Sequence, residues 1–271
     1  MKGNRIKDFK AQIRMHKNTF VVYCILRGLV LLAAVMSIIT RNYESLYFCV
    51  LTLVLFLVPA FVERNFKISL PSTLEIIIML FIFCAEILGE MNSYYVKFPF
   101  WDTMLHTING FLCAAIGFAL VDLLNKNDRV KFELSPFYLA VVAFCFSMTI
   151  GVLWEFFEFG CDVFFHTDMQ KDYIVHSISS VLLNPEPINK AIHINSITET
   201  AVNGQSLGIN GYLDIGLYDT MKDLLVNFVG AVVFSVIGYF YVKTRGKNKF
   251  VQEFIPTVVH EDKGEKEEIL E

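Results

Sequence analysis

The chain has 271 residues, of which 55% are hydrophobic and 18% are charged, and its mean hydropathy is +0.51. Soluble domains contain about 45–50% apolar and about 25% charged residues, so this composition indicates a membrane protein. The formal net charge of -4 excludes a globally basic nucleic-acid-binding protein, and 14% aromatic residues exclude a disordered polyelectrolyte. The expected partner is therefore the lipid bilayer, with no nucleic acid.

Six apolar runs are long enough to cross the hydrocarbon core as helices, which takes about 20 residues each. A basic arm over 1–18 precedes the first run, which is too long for the apolar part of a signal peptide and lacks a cleavage site after it. The expected fold is therefore all-α, a polytopic transmembrane helical bundle. Its predicted spans are 19–40, 43–63, 72–90, 101–122, 136–162 and 217–242.

The distribution of Lys and Arg predicts the orientation of these spans. With the N-terminus inside, the cytoplasmic arm, loops and tail carry 17 of the 23 basic residues, and the outer loops carry four. Because basic residues favour cytoplasmic loops, both termini are predicted to lie in the cytoplasm. The charged tail over 243–271 is predicted to be disordered.

The outer loop over 166–216 is long for a connection, which indicates a function or disorder. Its first part places apolar residues on one helical face, the pattern of an amphipathic helix at the membrane surface. These residues are Ile174, Val175, Ile178, Val181 and Leu182. Pro185 and Pro187 then end the predicted helix.

Ionisable side chains inside spans cost about 2.5–3.5 kcal/mol each at the helix centre, so each one suggests a function. In the last three spans the polar residues recur every three or four positions, which places them on one face of each helix. They are Asp102 and His106 in the fourth span, Glu155 and Glu158 in the fifth, and Asp219, Asp223 and Asn227 in the sixth. The alternating span directions bring all three faces to the outer end, which predicts one polar cavity at the extracytoplasmic side of the bundle.

These seven side chains suit a divalent metal, since carboxylates, an imidazole and a carboxamide are common metal ligands. His106 favours Zn, Mn or Fe over Mg, and a bound cation would relieve the repulsion among the carboxylates. A polar lipid headgroup is the other expected ligand. If the site is catalytic, the expected chemistry is metal-assisted hydrolysis or transfer on a lipid-linked substrate, with a carboxylate as base. Whether the protein is an enzyme stays open.

Two other functions fit the same residues. Acidic chains inside membranes also mark proton- or cation-coupled transporters, although the inner halves of the fourth and sixth spans are apolar. A structural protein would use the polar groups only for helix packing. No Gly-rich phosphate loop or Ser/His/Asp order supports nucleotide or phosphatase chemistry.

Three motifs resemble those of the YjdF-type bacterial inner-membrane proteins and, more distantly, the VanZ-like family. They are Trp101-Asp102-x-x-x-His106-x-x-x-Gly110, Glu155-x-x-Glu158, and Tyr218-Asp219-x-x-x-Asp223-x-x-x-Asn227-x-x-Gly230-Ala231. The resemblance covers residues 95–242 and implies a bacterial plasma (inner) membrane location, but no established activity. VanZ-like proteins usually show Glu followed by Gln at the position of the Glu pair, so their role in teicoplanin resistance is not implied.

Overall fold

The structure is a computed structural model that describes residues 17–66, 68–125, 134–244, 252–255 and 257–258. The predicted basic arm over 1–18 and the predicted charged tail over 243–271 lie mostly outside the described residues. The arm and tail predictions are therefore not addressed by the structure.

Long helices dominate the described part of the chain. They are α1 (Lys17–Ile39), α2 (Tyr43–Leu55), α3 (Val58–Phe66), α4 (Ser72–Phe83), which continues as a π-helix over Cys84–Met91, the short α5 (Tyr94–Lys97), α6 (Trp101–Asn125), α7 (Pro136–Phe165) and α8 (Leu217–Lys243). Within the described ranges, six helical segments are long and apolar enough to cross a membrane. Their bounds agree with the six predicted spans to within three residues. The prediction of an all-α polytopic bundle is therefore confirmed.

Many large apolar side chains of these helices are exposed, including Ile39 (68%), Phe156 (66%) and Leu225 (61%). Apolar surface of this extent is unfavourable in water but suits contact with lipid tails. The helical backbone satisfies its own hydrogen bonds, as the bilayer interior requires. The protein is thus a multi-pass membrane protein.

The chain divides into two compact units. The first unit comprises Met1–Thr149 and Val226–Glu271, and the second comprises Ile150–Leu225, so the divisions fall inside α7 and α8. The first unit contains two apolar clusters. One packs α1 and α2 against the third span through residues such as Val30, Cys49 and Met79. The other packs α6 against α4, the first half of α7 and the second half of α8 through residues such as Phe118 and Phe234.

Helices α6 and α8 approach each other at two glycines of the first unit. A Cβ at Gly110 would overlap the backbone of Asn227, and a Cβ at Gly230 would overlap the backbone of Thr107. Only glycine allows backbones this close, and small residues serve the same purpose in many membrane helix pairs. The two helices therefore meet backbone to backbone at this level.

The second unit contains the ends of α7 and α8 that adjoin residues 166–216, together with that connection. Short strands pair within it: β2 (Ile174–Val175) with β7 (Tyr212–Leu213), β3 (Ile178–Ser180) with β4 (Ile192–Ile194), and β5 (Ala201–Val202) with β6 (Gln205–Ser206), all antiparallel. Asn203 and Gly204 link β5 to β6 with positive φ angles, as tight hairpin turns require. A further pair, β1 (Ile68–Ser69) with β8 (Thr257–Val258), belongs to the first unit.

The prediction of an amphipathic helix over Ile174 to Leu182 is wrong. That segment forms β2, β3 and a single 3-10 turn over Val181–Leu183. The isoleucines and valines of this segment are β-branched, which favours extended backbone, and the strands find partners farther along the connection. A pattern read on one segment cannot reveal such partners.

Candidate functional site

Helix α6 carries the aspartate and histidine of the first motif one turn apart. The Nε2 atom of His106 lies 3.4 Å from Oδ1 of Asp102, and the two side chains are 10% and 21% exposed. Oδ2 of Asp102 is buried and has no hydrogen-bond partner among the residues that the structure describes. The pair therefore offers an imidazole nitrogen and carboxylate oxygens at the start of the fourth span.

Asn227 of α8 lies at the centre of a polar layer in the first unit. Its side chain is 1% exposed, accepts a hydrogen bond from Nδ2 of Asn109 (3.4 Å) and donates one to the carbonyl of Ser147 (3.5 Å). The hydroxyl of Ser147 in turn donates to the carbonyl of Gly110 at 2.7 Å. Side chains of α6, α7 and α8 are thus joined at one level.

Asn109 and Ser147 are not among the predicted site residues, because that prediction rested mainly on ionisable side chains. Both are uncharged polar residues inside apolar spans, and Asn109 follows His106 by three residues on the same helix. Counting every amide and hydroxyl within the spans would have found them. They hold Asn227 in place by hydrogen bonds that the membrane interior does not offer.

The four predicted site residues that lie in the second unit are acidic, and all four are buried. Glu155 is 4% exposed, Glu158 8%, Asp219 4% and Asp223 1%. Oε1 of Glu158 accepts a hydrogen bond from the indole of Trp154 at 2.8 Å, and Oδ2 of Asp219 accepts one from the backbone N–H of Lys171 at 2.8 Å. Asp219 thus also ties the long connection to the start of α8.

Two other aspartates anchor that connection. Asp162, near the end of α7, accepts hydrogen bonds from the hydroxyl of Thr167 (2.8 Å) and the backbone N–H groups of Met169 (2.6 Å) and Gln170 (2.8 Å). Asp214 accepts bonds from the backbone N–H groups ahead of β2 and at the start of α8. Their hydrogen bonds show a structural role at both ends of the connection.

Asp172 is an acidic residue of the connection whose pKa departs from the ordinary value of an aspartate. Asp172 is exposed, but partial loss of hydration at its carboxyl group, followed by the nearby carboxylates of Asp168, Asp214 and Asp162, raises its pKa above the ordinary value, and Lys171 opposes this only in part. Negative charge therefore accumulates in this part of the connection.

The structure divides the seven predicted site residues between the two units. Asp102, His106 and Asn227 belong to the first, in which the aspartate and histidine pair and the asparagine joins the polar layer. Glu155, Glu158, Asp219 and Asp223 belong to the second. The single cavity that would unite all seven stays a prediction.

The family model described as "Predicted membrane protein (DUF2238)" matches residues 22–244, and the chain belongs to this family. A protein of Thermotoga maritima described as "Uncharacterized protein" is 28% identical over 104 residues, which cover 38% of this chain. The match spans about half (52%) of the length of that relative. No solved structure matches the chain.

Proposed function

We propose that this protein binds a divalent cation through Asp102, His106, Glu155, Glu158, Asp219, Asp223 and Asn227, at the extracytoplasmic end of its membrane spans. The location that goes with this proposal is a bacterial plasma membrane, with both termini in the cytoplasm. The excess of Lys and Arg on one side of the spans supports the orientation. The resemblance to YjdF-type proteins supports the bacterial plasma membrane as the location.

Two observations carry the proposal: the burial of four carboxylates, and the presence of a histidine inside a membrane span. Asp223, Asp219, Glu155 and Glu158 are each less than 9% exposed. Buried carboxylates repel one another and lose their hydration, so they must be protonated or neutralised by a positive charge. A divalent cation supplies two positive charges at one point, and His106 adds a nitrogen ligand of the kind that zinc, manganese and iron accept.

The placement of the residues along their helices also supports the proposal. Asp102 and His106 occupy the two turns of α6 before Gly110, and Asp219 and Asp223 occupy the two turns of α8 before Asn227. Gly110 and Asn227 are the point at which the two backbones meet. Paired carboxylate and histidine ligands on facing helices are a recurring way to build a metal site in a helical bundle.

If the proposed site is catalytic, its chemistry would be hydrolysis or group transfer on a lipid-linked substrate. The metal would polarise the electrophile, and a carboxylate such as Glu155 would act as the base. The position of the site within membrane spans supports a substrate that the bilayer carries.

Thermal unfolding of detergent-purified, chelator-stripped protein with added Zn²⁺, Mn²⁺ or Mg²⁺ tests the proposal. A ligand that binds the folded state stabilises it by about 2.7 kcal/mol at a hundred times its Kd, so at least one metal should raise Tm by several degrees. His106→Gln and Asp223→Asn should abolish this rise. The metal proposal is wrong if no metal raises the Tm of the wild type and both variants have a Tm that is lower than the wild type by the same amount. In that case the residues serve helix packing.

A further inference from the structure

A groove with a volume of about 380 Å³ lies between the first half of α7 and the second half of α8, within the first unit. Its walls are mainly apolar and include Phe137, Val141 and Phe144 of α7 and Val232 and Val236 of α8. At one end, the rings of Phe144 and Phe228 pack edge to face, 5.3 Å between centroids. Because both helices are membrane spans, the medium that meets this groove is lipid.

A serine hydroxyl interrupts the apolar lining. Ser235 lines the groove and is 6% exposed, and its hydroxyl has no hydrogen-bond partner among the described residues. A buried donor left unbonded costs about 1–3 kcal/mol, and the bilayer core holds no water to satisfy it. A molecule that fills the groove and offers a hydrogen-bond acceptor to this hydroxyl would therefore be favoured.

A cation lies beside the same groove. Tyr239 lines it one turn after Ser235, and Nζ of Lys243 lies 5.6 Å from the centroid of the Tyr239 ring. Lys243 is also the last residue of α8. Lysines at the ends of membrane helices reach the headgroup layer, where they attract anionic lipid phosphates.

We propose that this groove binds one anionic phospholipid. The acyl chain lies between the two helices, and an ester carbonyl accepts the hydrogen bond of Ser235. The phosphate pairs with Lys243 above Tyr239. Along α8, the apolar wall comes first, the buried hydroxyl donor second and the terminal cation last. A phospholipid presents its acyl chain, ester and phosphate in the same order. This site is independent of the proposed metal site.

Native mass spectrometry of the full-length protein in detergent, titrated with palmitoyl-oleoyl phosphatidylglycerol and with the phosphatidylcholine of the same chains, tests this proposal. The wild type should retain one phosphatidylglycerol more tightly than phosphatidylcholine. Lys243→Gln should reduce the affinity for phosphatidylglycerol about fivefold and remove the preference. Val236→Trp should fill the groove and remove the tightly bound lipid.

Val233→Trp is the matched control, because Val233 is exposed on α8 and does not line the groove. It should bind lipid as the wild type does. Equal lipid retention by Val236→Trp and Val233→Trp, or an unchanged preference in Lys243→Gln, would overturn the proposal. A lipid-free dimer that Val236→Trp dissociates would also overturn it, since a second copy would then be the occupant.

Discussion

Gly110 and Gly230 determine how closely α6 and α8 approach. At each, an added methyl group would meet the backbone of the facing helix, which cannot move aside as a flexible side chain can. The hydrogen bonds that hold Asn227 lie at the same level. A change at either glycine should therefore disturb both helix packing and the polar layer.

Gly230→Ala should lower the stability of the protein by about 1–3 kcal/mol, the usual cost of overpacking a tight contact. Gly28→Ala is the control, because nothing lies within 4 Å of a Cβ at that helical position, and it should be neutral or slightly stabilising. Thermal unfolding in detergent measures both. Equal Tm values for the two variants would show that the backbones are not in contact at Gly230.

The residues of the candidate site were only partly predictable from the sequence. Charged residues in apolar spans are easy to find in a sequence. All seven predicted residues, six of them ionisable and the seventh Asn227, lie within spans. Among them, Asp219, Asp223 and Asn227 are buried. Asn109 and Ser147 escaped prediction because amides and hydroxyls inside spans are common and rarely mark a site on their own. Which helices are neighbours is a tertiary property that the spacing of residues within one helix does not contain.

At the scale of elements, the spans were predictable and the long connection was not. A membrane span needs only length and apolar character, so its signal lies within one continuous segment. The strands of the connection depend on partners up to 39 residues away, as in the pairing of Ile174 with Leu213. The apolar residues at 174–182 fit a helical face equally well, and local pattern alone favoured the wrong structure.

Asp172 should make the stability of the connection depend on pH. Its folded pKa is raised, so it favours folding when protonated, and this stabilisation is lost as pH rises through the folded pKa. Asp172→Asn removes the charge permanently and should stabilise the connection at pH 7. The gain should disappear below about pH 4, where the wild-type carboxyl is also neutral.

Hydrogen exchange of peptides over 170–176, corrected for intrinsic exchange rates, measures this effect. Because Asp172 is exposed, solvent screens its charge and the change in protection should stay below about fivefold. Glu199→Gln, which also neutralises an exposed acid of the connection, is the control and should show no such dependence. Identical protection of Asp172→Asn and the wild type at both pH values would refute the predicted repulsion.

At the scale of the whole molecule, the six spans found in the described residues put the segment before the first span and the segment after the last span on the same side of the membrane. From the excess of basic residues we propose that this side is the cytoplasm and that the connection over 166–216 lies on the other side. All six native cysteines lie within membrane spans, so new cysteines in loops can report the orientation. The orientation also decides whether the proposed metal site opens outward.

A cysteine placed in the hairpin turn, Asn203→Cys, should react with a membrane-impermeant maleimide in intact cells. Arg64→Cys, at the end of the second span, should react only after the membrane is permeabilised. The cysteines of the wild-type protein provide the background. The reverse pattern of labelling would invert the proposed orientation.

The proposed metal is most directly tested by elemental mass spectrometry of the protein purified in detergent without chelators. The wild type and Glu75→Gln, which changes an acid of the third span outside the proposed site, should each contain close to one divalent metal ion per chain. His106→Ala and Asp223→Asn, with folding verified by thermal unfolding, should contain almost none. A wild type without metal, or folded variants that keep it, would contradict the account.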